Sequence, residues 1–330
     1  MTRPSEDDLI ARYFAPLARH DGAHGLKDDA ALISPPPGHS LVVTVDALVA
    51  GIHFLPDDPP ALIARKALRV NLSDLAAKGA IPYGFLLSLA LPDGWTESWL
   101  AGLAEGLEQD ATAYDFPLLG GDTVRTPGPL VLSVTAFGLV PGQAVPRRTG
   151  ARPGQGLYVT GTIGDGALGL LVRTGRDADF RAALQPDALE ALTERYLLPR
   201  PRMGLAGLVH RLAAASMDIS DGFVGDLMKL LRASGVTASV DLGAMPFSAA
   251  AQAAIAASPA RFETALTGGD DYELLLAIPA ASRSAFESGA AATGTAVTRI
   301  GEVLEGLSAP RFLEVSGRER RFQRPSFSHF

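Results

Sequence analysis

The stretch Val140-Pro-Gly-Gln-Ala-Val-Pro-Arg-Arg-Thr-Gly-Ala-Arg-Pro-Gly154 constrains the fold more than any other part of the chain. Proline fixes φ and removes a backbone donor, while glycine relaxes the backbone, so a run dense in both interrupts strands and helices. It marks a boundary between two folding units. The 330 residues are enough for each side to bury its own apolar interior. We expect an N-terminal domain over residues 1–142 and a C-terminal domain over 150–330.

Hydrophobic periodicity fills both halves with strands and helices. Ser5 to Ala18 reads as an amphipathic helix, with Leu9, Ile10, Tyr13, Phe14 and Leu17 on one side. The β-branched run from Leu41 to Val45 reads as a strand with Asp46 at its end. Pro59 to Gly79 and Thr96 to Tyr114 read as helices, and Phe85 to Leu91 and Leu130 to Val140 as strands. Past the boundary, strands are expected at Leu157 to Thr160, ending near Ile219, near Val236, at Leu274 to Ile278 and at Val297 to Val303. Helices fill most of the intervals, including the alanine-rich run Ala249 to Ala257. Two α+β domains of the α/β type follow: an N-terminal mixed sheet with flanking helices and a C-terminal α/β domain.

The charge balance narrows the partners. With 29 Lys and Arg against 36 Asp and Glu, the net charge of −7 offers no basic field for nucleic acid or an anionic membrane. No cysteine is present, which removes disulfides, thiolate metal sites and cysteine nucleophiles together. The acidic segment Met1 to Leu9 lacks the apolar core of a secretion signal, and no uninterrupted run of about 18 apolar residues could span a bilayer. A cytoplasmic location is expected.

Aspartate recurs beside glycine or at expected strand ends: Asp28-Asp29, Asp46, Asp74, Asp122 in Gly120-Gly-Asp-Thr, Asp218 and Asp221 in Asp-Ile-Ser-Asp-Gly, and Asp270-Asp271 in Gly268-Gly-Asp-Asp-Tyr-Glu. Singly, each reads as a turn residue or helix cap. Together they read otherwise, because several follow apolar strands, where α/β folds hold ligands. Oxygen-only ligands suit a hard cation such as magnesium, which takes one or two carboxylates and completes its shell with water and phosphate. No Gly-Lys-Ser/Thr phosphate loop is present. A G-x-G-x-x-G occurs at Gly164, Gly166 and Gly169, but no strand ending in an acid follows about 20 residues on, so a dinucleotide site is disfavoured and a bare anion site at that helix start stays open.

In this order along the chain, six segments resemble the thiamine-monophosphate kinase family of the aminoimidazole ribonucleotide synthetase-like superfamily. They are Asp46-Ala-Leu-Val-Ala-Gly-Ile-His-Phe54, the run Lys66 to Ala80, Leu119-Gly-Gly-Asp-Thr123, Tyr158-Val-Thr-Gly-Thr162, Asp218-Ile-Ser-Asp-Gly222 and Asp270-Asp-Tyr-Glu-Leu274. The resemblance implies ATP-dependent, magnesium-dependent phosphorylation of thiamine monophosphate by direct in-line transfer, with several magnesium ions. It puts Asp29, Thr44, Val45, Asp46, Asp74, Asp122, Asp218 and Asp221 at metal positions, and Gly121, Asp122, Arg148 and Ser220 at ATP positions. His53 and Asp270 fall at thiamine-phosphate positions, and Phe322, chosen over Phe327, at an aromatic cover for the thiamine. Asp46, Asp122 and Arg148 would be catalytic. The first domain would also pair with its copy in a homodimer, and the second would complete the ATP site.

Four features depart from the family pattern: Val45 replaces a hydroxyl residue, Lys27 a glycine and Asp270 a glutamate, and the tail from Phe322 to Phe330 aligns only loosely. Two other readings stay open, an ATP-dependent enzyme like aminoimidazole ribonucleotide synthetase and a non-catalytic nucleotide or thiamine-phosphate sensor. The absence of cysteine argues against selenophosphate synthetase and the hydrogenase maturation protein of the same superfamily.

Overall fold

The computed structural model describes residues 5–324, 326 and 327. The chain divides into two compact units, Met1–Leu75 with Ala80–Ala144, and Ala76–Gly79 with Val145–Phe330.

The first unit begins with α1 (Glu6–Leu9), a wider π-type turn at Ile10–Phe14 and a tight 3-10 turn at Ala15–Leu17. The single helix expected here is thus broken into three short pieces, since Pro16 cannot donate a helical hydrogen bond. Next come β1 (His39–Val49), α2 (Pro60–Ala77), β2 (Ile81–Pro92), α3 (Glu97–Ala113), β3 (Leu118–Thr126) and β4 (Val131–Pro141). They form a mixed sheet in the order β1-β4-β2-β3, with only β2 and β3 parallel, joined through α3.

Burial alternates along these strands with period two. Leu132, Val134 and Ala136 of β4 are fully buried, while Val43 and Val45 of β1, which point the opposite way, are 55% and 58% exposed. Helices α2 and α3 pack side by side. A Cβ on Gly106 would lie 2.2 Å from the Ala61 carbonyl, and Asp110 takes the guanidinium groups of Arg65 and Arg69.

The second unit runs β5 (Gly156–Thr160), α4 (Asp165–Thr174), α5 (Ala178–Ala182), α6 (Pro186–Leu197), α7 (Ala206–Leu212), β6 (Ala215–Ile219), α8 (Phe223–Ser234), β7 (Thr237–Asp241), α9 (Ala249–Ala257), α10 (Arg261–Thr267), β8 (Glu273–Ile278), α11 (Arg283–Ala292), β9 (Val297–Leu304), β10 (Arg311–Leu313) and β11 (Glu319–Arg320). Its seven-stranded sheet has the order β11-β10-β7-β9-β5-β8-β6. Every residue of β5, β6 and β8 is buried, as expected of strands covered on both faces. Alternate side chains feed two cores. Leu157, Val159, Met217 and Leu275 pack with Phe223 and Leu227 of α8. Tyr158, Leu274 and Leu276 pack with Phe286 of α11.

Both units thus carry the expected α+β architecture. Two sequence expectations change. Asp46 lies inside β1, paired with Val134, and not at a strand end. Gly120-Gly-Asp lies inside β3 and not in a turn: Gly121 pairs with Leu87 and Asp122 with Ser88. Glycine is needed there because a Cβ on Gly121 would sit 2.0 Å from the Leu87 carbonyl oxygen. Among the described residues no helix is long and apolar enough to cross a membrane.

Candidate active site

Adjacent residues of an extended strand point to opposite faces, and this sorts the candidate residues of the first unit. Thr44 and Asp46 face α2. The Thr44 hydroxyl donates to the Asp74 carboxylate, and the Asn71 side-chain carbonyl accepts the Asp46 N–H at 3.1 Å. Asn71 and Asp74 lie three apart on α2 and so address the same strand edge. Val45 faces the other way, as do Ser88 and Asp122, which the strand register puts on the bare face of the sheet.

On that bare face Asp28, Asp29, Gly120, Gly121, Asp122 and Thr123 line one pocket of about 730 Å³. The rest of its wall is largely apolar, with Ile10, Phe14, Leu26, Ile33, Leu86 and Phe137. Asp28, Asp29 and Asp122 are exposed. The structure therefore brings Asp29, Gly121 and Asp122 together and sets Thr44, Asp46 and Asp74 apart from them on the opposite face.

His53 sits in the turn after β1. Its Nδ1 accepts the Val49 N–H at 3.0 Å, so in the neutral ring the proton resides on Nε2, making that nitrogen a donor. Lys66, 2% exposed, donates to the His53 carbonyl at 3.0 Å and pins the turn to α2. Lys66 opens one of the six matched segments, but its sequence gives it no role, because a lysine on an amphipathic helix ordinarily reads as a solvated residue.

In the second unit three loops meet at one end of the sheet. Asp218, 4% exposed, is the last residue but one of β6, and Ser220 and Asp221 follow the strand half-buried. The fully buried Asp226 of α8 accepts the N–H groups of Ser220 and Asp221, each at 3.0 Å. Lys229 bridges the Asp226 and Asp221 carboxylates. Burial pushes the Asp226 carboxyl up, against the pull of Lys229. Burial works to lower the Lys229 ammonium, but its hydrogen bonds to Asp221 and Asp226 outweigh it and hold the group above its ordinary value.

Asp270 belongs to the second loop and donates its N–H to the Ser220 carbonyl at 2.9 Å. Next to it, Asp271 accepts the N–H groups of Gly164 at 2.7 Å and Gly166 at 3.1 Å. Burial drives the Asp271 carboxyl well above the usual carboxylate range. The anion site left open at this Gly-rich helix start is thus filled by the chain's own carboxylate. Glu273, fully buried, receives Arg195 at 3.0 Å, Arg202 and the Thr160 hydroxyl at 2.6 Å.

Arg148 is exposed in a short turn fixed by the Ser234 hydroxyl, which donates to the Arg148 carbonyl at 2.6 Å. Phe322 is packed edge-on against Phe312 at 5.0 Å, beside the second unit's core. The ring, expected from the sequence to be an aromatic cover, is partly buried there. Phe327 instead donates its N–H to the Asp221 carbonyl at 3.0 Å and is 51% exposed. Among the described residues no group of three or more His, Asp or Glu is close enough to hold a metal by itself.

A mixed four-stranded sheet with an acid-lined pocket and a larger sheet with an Asp-Ile-Ser-Asp-Gly loop define a class, and the family models agree with it. Residues 27–140 match the N-terminal domain of AIR synthase related proteins, and residues 152–309 match their C-terminal domain. Within that class the chain belongs to the thiamine-monophosphate kinase family. It is 45% identical to the thiamine-monophosphate kinase of Caulobacter vibrioides over 308 residues, covering 92% of this chain and 85% of the relative. The crystal structure of the Stenotrophomonas maltophilia thiamine-monophosphate kinase superposes with a TM-score of 0.82 at 37% identity, covering 95% of this chain and 96% of that one. AaThiL complexed with AMPPCP and TMP superposes with a TM-score of 0.76 at 28% identity, covering 98% of this chain and 94% of that one.

Proposed function

We propose that the chain phosphorylates thiamine monophosphate, passing the terminal phosphoryl group of ATP directly to the phosphate of the acceptor to give thiamine diphosphate and ADP. The observation that carries this reading is the pocket that joins Asp29, Gly121 and Asp122 to an apolar wall, in a chain 45% identical to a thiamine-monophosphate kinase. AMPPCP is an ATP analogue, and a related structure holding it with TMP supports the same pair of substrates.

The chemistry asks little of the protein beyond positioning. The second pKa of a phosphate monoester is about 6, so near neutral pH the attacking oxygen is already ionised and no general base is needed. The difficulty is repulsion between two polyanions. The donors fit magnesium: carboxylates, the Thr44 hydroxyl and the Val45 carbonyl are all hard oxygens, and too few cluster to satisfy an ion without phosphate and water. Asp29, Thr44, Val45, Asp46, Asp74, Asp122, Asp218 and Asp221 would hold the ions, which supply charge neutralisation.

The chain's own groups do the rest. Gly121 stands exposed beside Asp122, Arg148 offers a guanidinium fork to phosphate, and Ser220 stands on the loop held by Asp226. His53 presents its Nε2–H to the acceptor phosphate, and Asp270 faces the acceptor. Phe327, half-exposed beside the Asp221 loop, is better placed than Phe322 to cover the cationic thiazolium.

A homodimer fits the bare face of the first sheet, where Val43, Val45 and Val124 are about half exposed or more. A second copy laid there would cover them. The enzyme would act in the cytoplasm.

Incubation with ATP, magnesium and thiamine monophosphate should yield ADP and thiamine diphosphate in equal amounts. Turnover of ATP only with formylglycinamidine ribonucleotide would move the chain to the synthetase branch. Binding of both ligands without product would make it a sensor.

A further inference from the structure

Asp271 lies between two residues that L side chains rarely favour in their observed conformations: Asp270 has φ +73° and Tyr272 φ +51°. Two such residues in a three-residue span mean that the loop is held from outside and does not relax into its own preferred shape. Several contacts do the holding, among them the Tyr272 hydroxyl, which donates to Asp270 Oδ1 at 3.4 Å, and Arg195, which donates to the Asp271 carbonyl at 3.4 Å. Both carboxylate oxygens of Asp271 are engaged by backbone N–H groups at the start of α4, and Asp271 is 1% exposed. The Asp270 and Tyr272 N–H groups donate to the carbonyls of Ser220 and Ile219 at 2.9 and 2.8 Å. Space is tight, because a Cβ on Gly166 would stand 2.2 Å from the Asp270 carbonyl oxygen.

We propose that Asp271 is a positioning residue: by clamping the loop onto the Gly164 and Gly166 N–H groups it fixes the direction of the neighbouring Asp270 side chain toward the acceptor. The inference rests on the reading of Asp270 as an acceptor contact. The Ser220-Asp221 loop has an anchor of its own in Asp226, whereas the Asp271 clamp joins the Asp270 loop to the start of α4. Loss of the clamp therefore acts on the acceptor more than on the nucleotide.

The test is Asp271→Asn in the full chain, with the affinities for thiamine monophosphate and AMPPCP measured separately by calorimetry and folding checked by circular dichroism. The amide keeps one acceptor and turns an N–H₂ toward the other glycine N–H, so one bond is lost and one contact becomes repulsive. We expect affinity for thiamine monophosphate to fall about tenfold or more, as small misplacements of a binding group do, and affinity for AMPPCP to change less than about threefold. Gly166→Ala leaves the carboxylate in place but pushes on the Asp270 carbonyl, and should give the same split.

A lower melting temperature with unchanged affinity for thiamine monophosphate in the folded variants would overturn the assignment, as would equal losses for both ligands. Loss of folding in both variants would make Asp271 a stability residue and also overturn it. If the unaltered chain binds AMPPCP but no thiamine monophosphate, it is the reading of the acceptor that fails.

Discussion

In the first unit the motif aspartates stand half or fully exposed, Asp29 and Asp122 lining one pocket, and Asp46 of the edge strand β1 on the side of the sheet that meets Asp74 of α2. In the second unit Asp226, Asp271 and Glu273 are almost wholly buried, and all three are taken up by backbone N–H, ammonium or guanidinium groups. The same residue type serves two ends. An exposed carboxylate keeps its lone pairs for a ligand, while a buried one must be paired and so becomes an internal fastener for loops. Asp221 and Asp270, half-buried, sit on the loops that these fasteners hold.

The comparison can be broken from its buried side first. Glu273→Ala takes away the carboxylate that Arg195 and Arg202 share, and removal of one partner from a buried ionic cluster costs about 3–5 kcal/mol. Urea denaturation should show a loss of that order; a loss below about 1 kcal/mol would mean the cluster is no fastener. On the exposed side, Asp122→Asn should lower turnover about 10²–10³-fold, as removal of an electrostatic contact to a reacting phosphate does, while the urea midpoint stays put. Equal losses of stability and turnover would return Asp122 to a structural role.

Thr44→Val tests the intermediate case, since Thr44 donates to the half-buried Asp74. Stability should drop by about 0.5–1.5 kcal/mol, the net value of one hydrogen bond, as read by the same denaturation.

The smallest effect concerns pH. Burial, aided by the hydrogen bond to Glu287, raises the Tyr158 phenol to about 12. The unfolded chain releases that proton near 10, so this contribution is intact below pH 10 and is lost as pH rises through about 12. Tyr158→Phe should flatten the alkaline decline of melting temperature, and an unchanged slope would contradict the assignment.

Much of the architecture was legible because it rests on local periodicity. Helix α2 and strand β4 follow from their apolar spacing, and Thr96 caps α3 by accepting the Trp99 N–H at 3.2 Å. Strand β3 was missed because Gly120-Gly-Asp has the composition of a turn; only the close approach of Leu87 explains glycine within a strand. Strands β10 and β11 are too short to show a period. Among the candidate residues, the order of the aspartates was visible, but their faces were not. The opposition of Thr44 and Asp46 to Val45 needs the register of β1, and the packing of Phe322 beside the core needs its contact with Phe312. The fasteners Asp226, Lys229 and Arg195 escaped notice because their partners lie on other segments, or because at helical spacing they read as surface charges.

The most direct measurement is phosphorus NMR of the full chain with ATP, magnesium and thiamine monophosphate. The monoester resonance of thiamine monophosphate should be replaced by the paired resonances of a diphosphate as ADP appears, with no free phosphate. Release of inorganic phosphate from ATP with the monoester resonance untouched would contradict it.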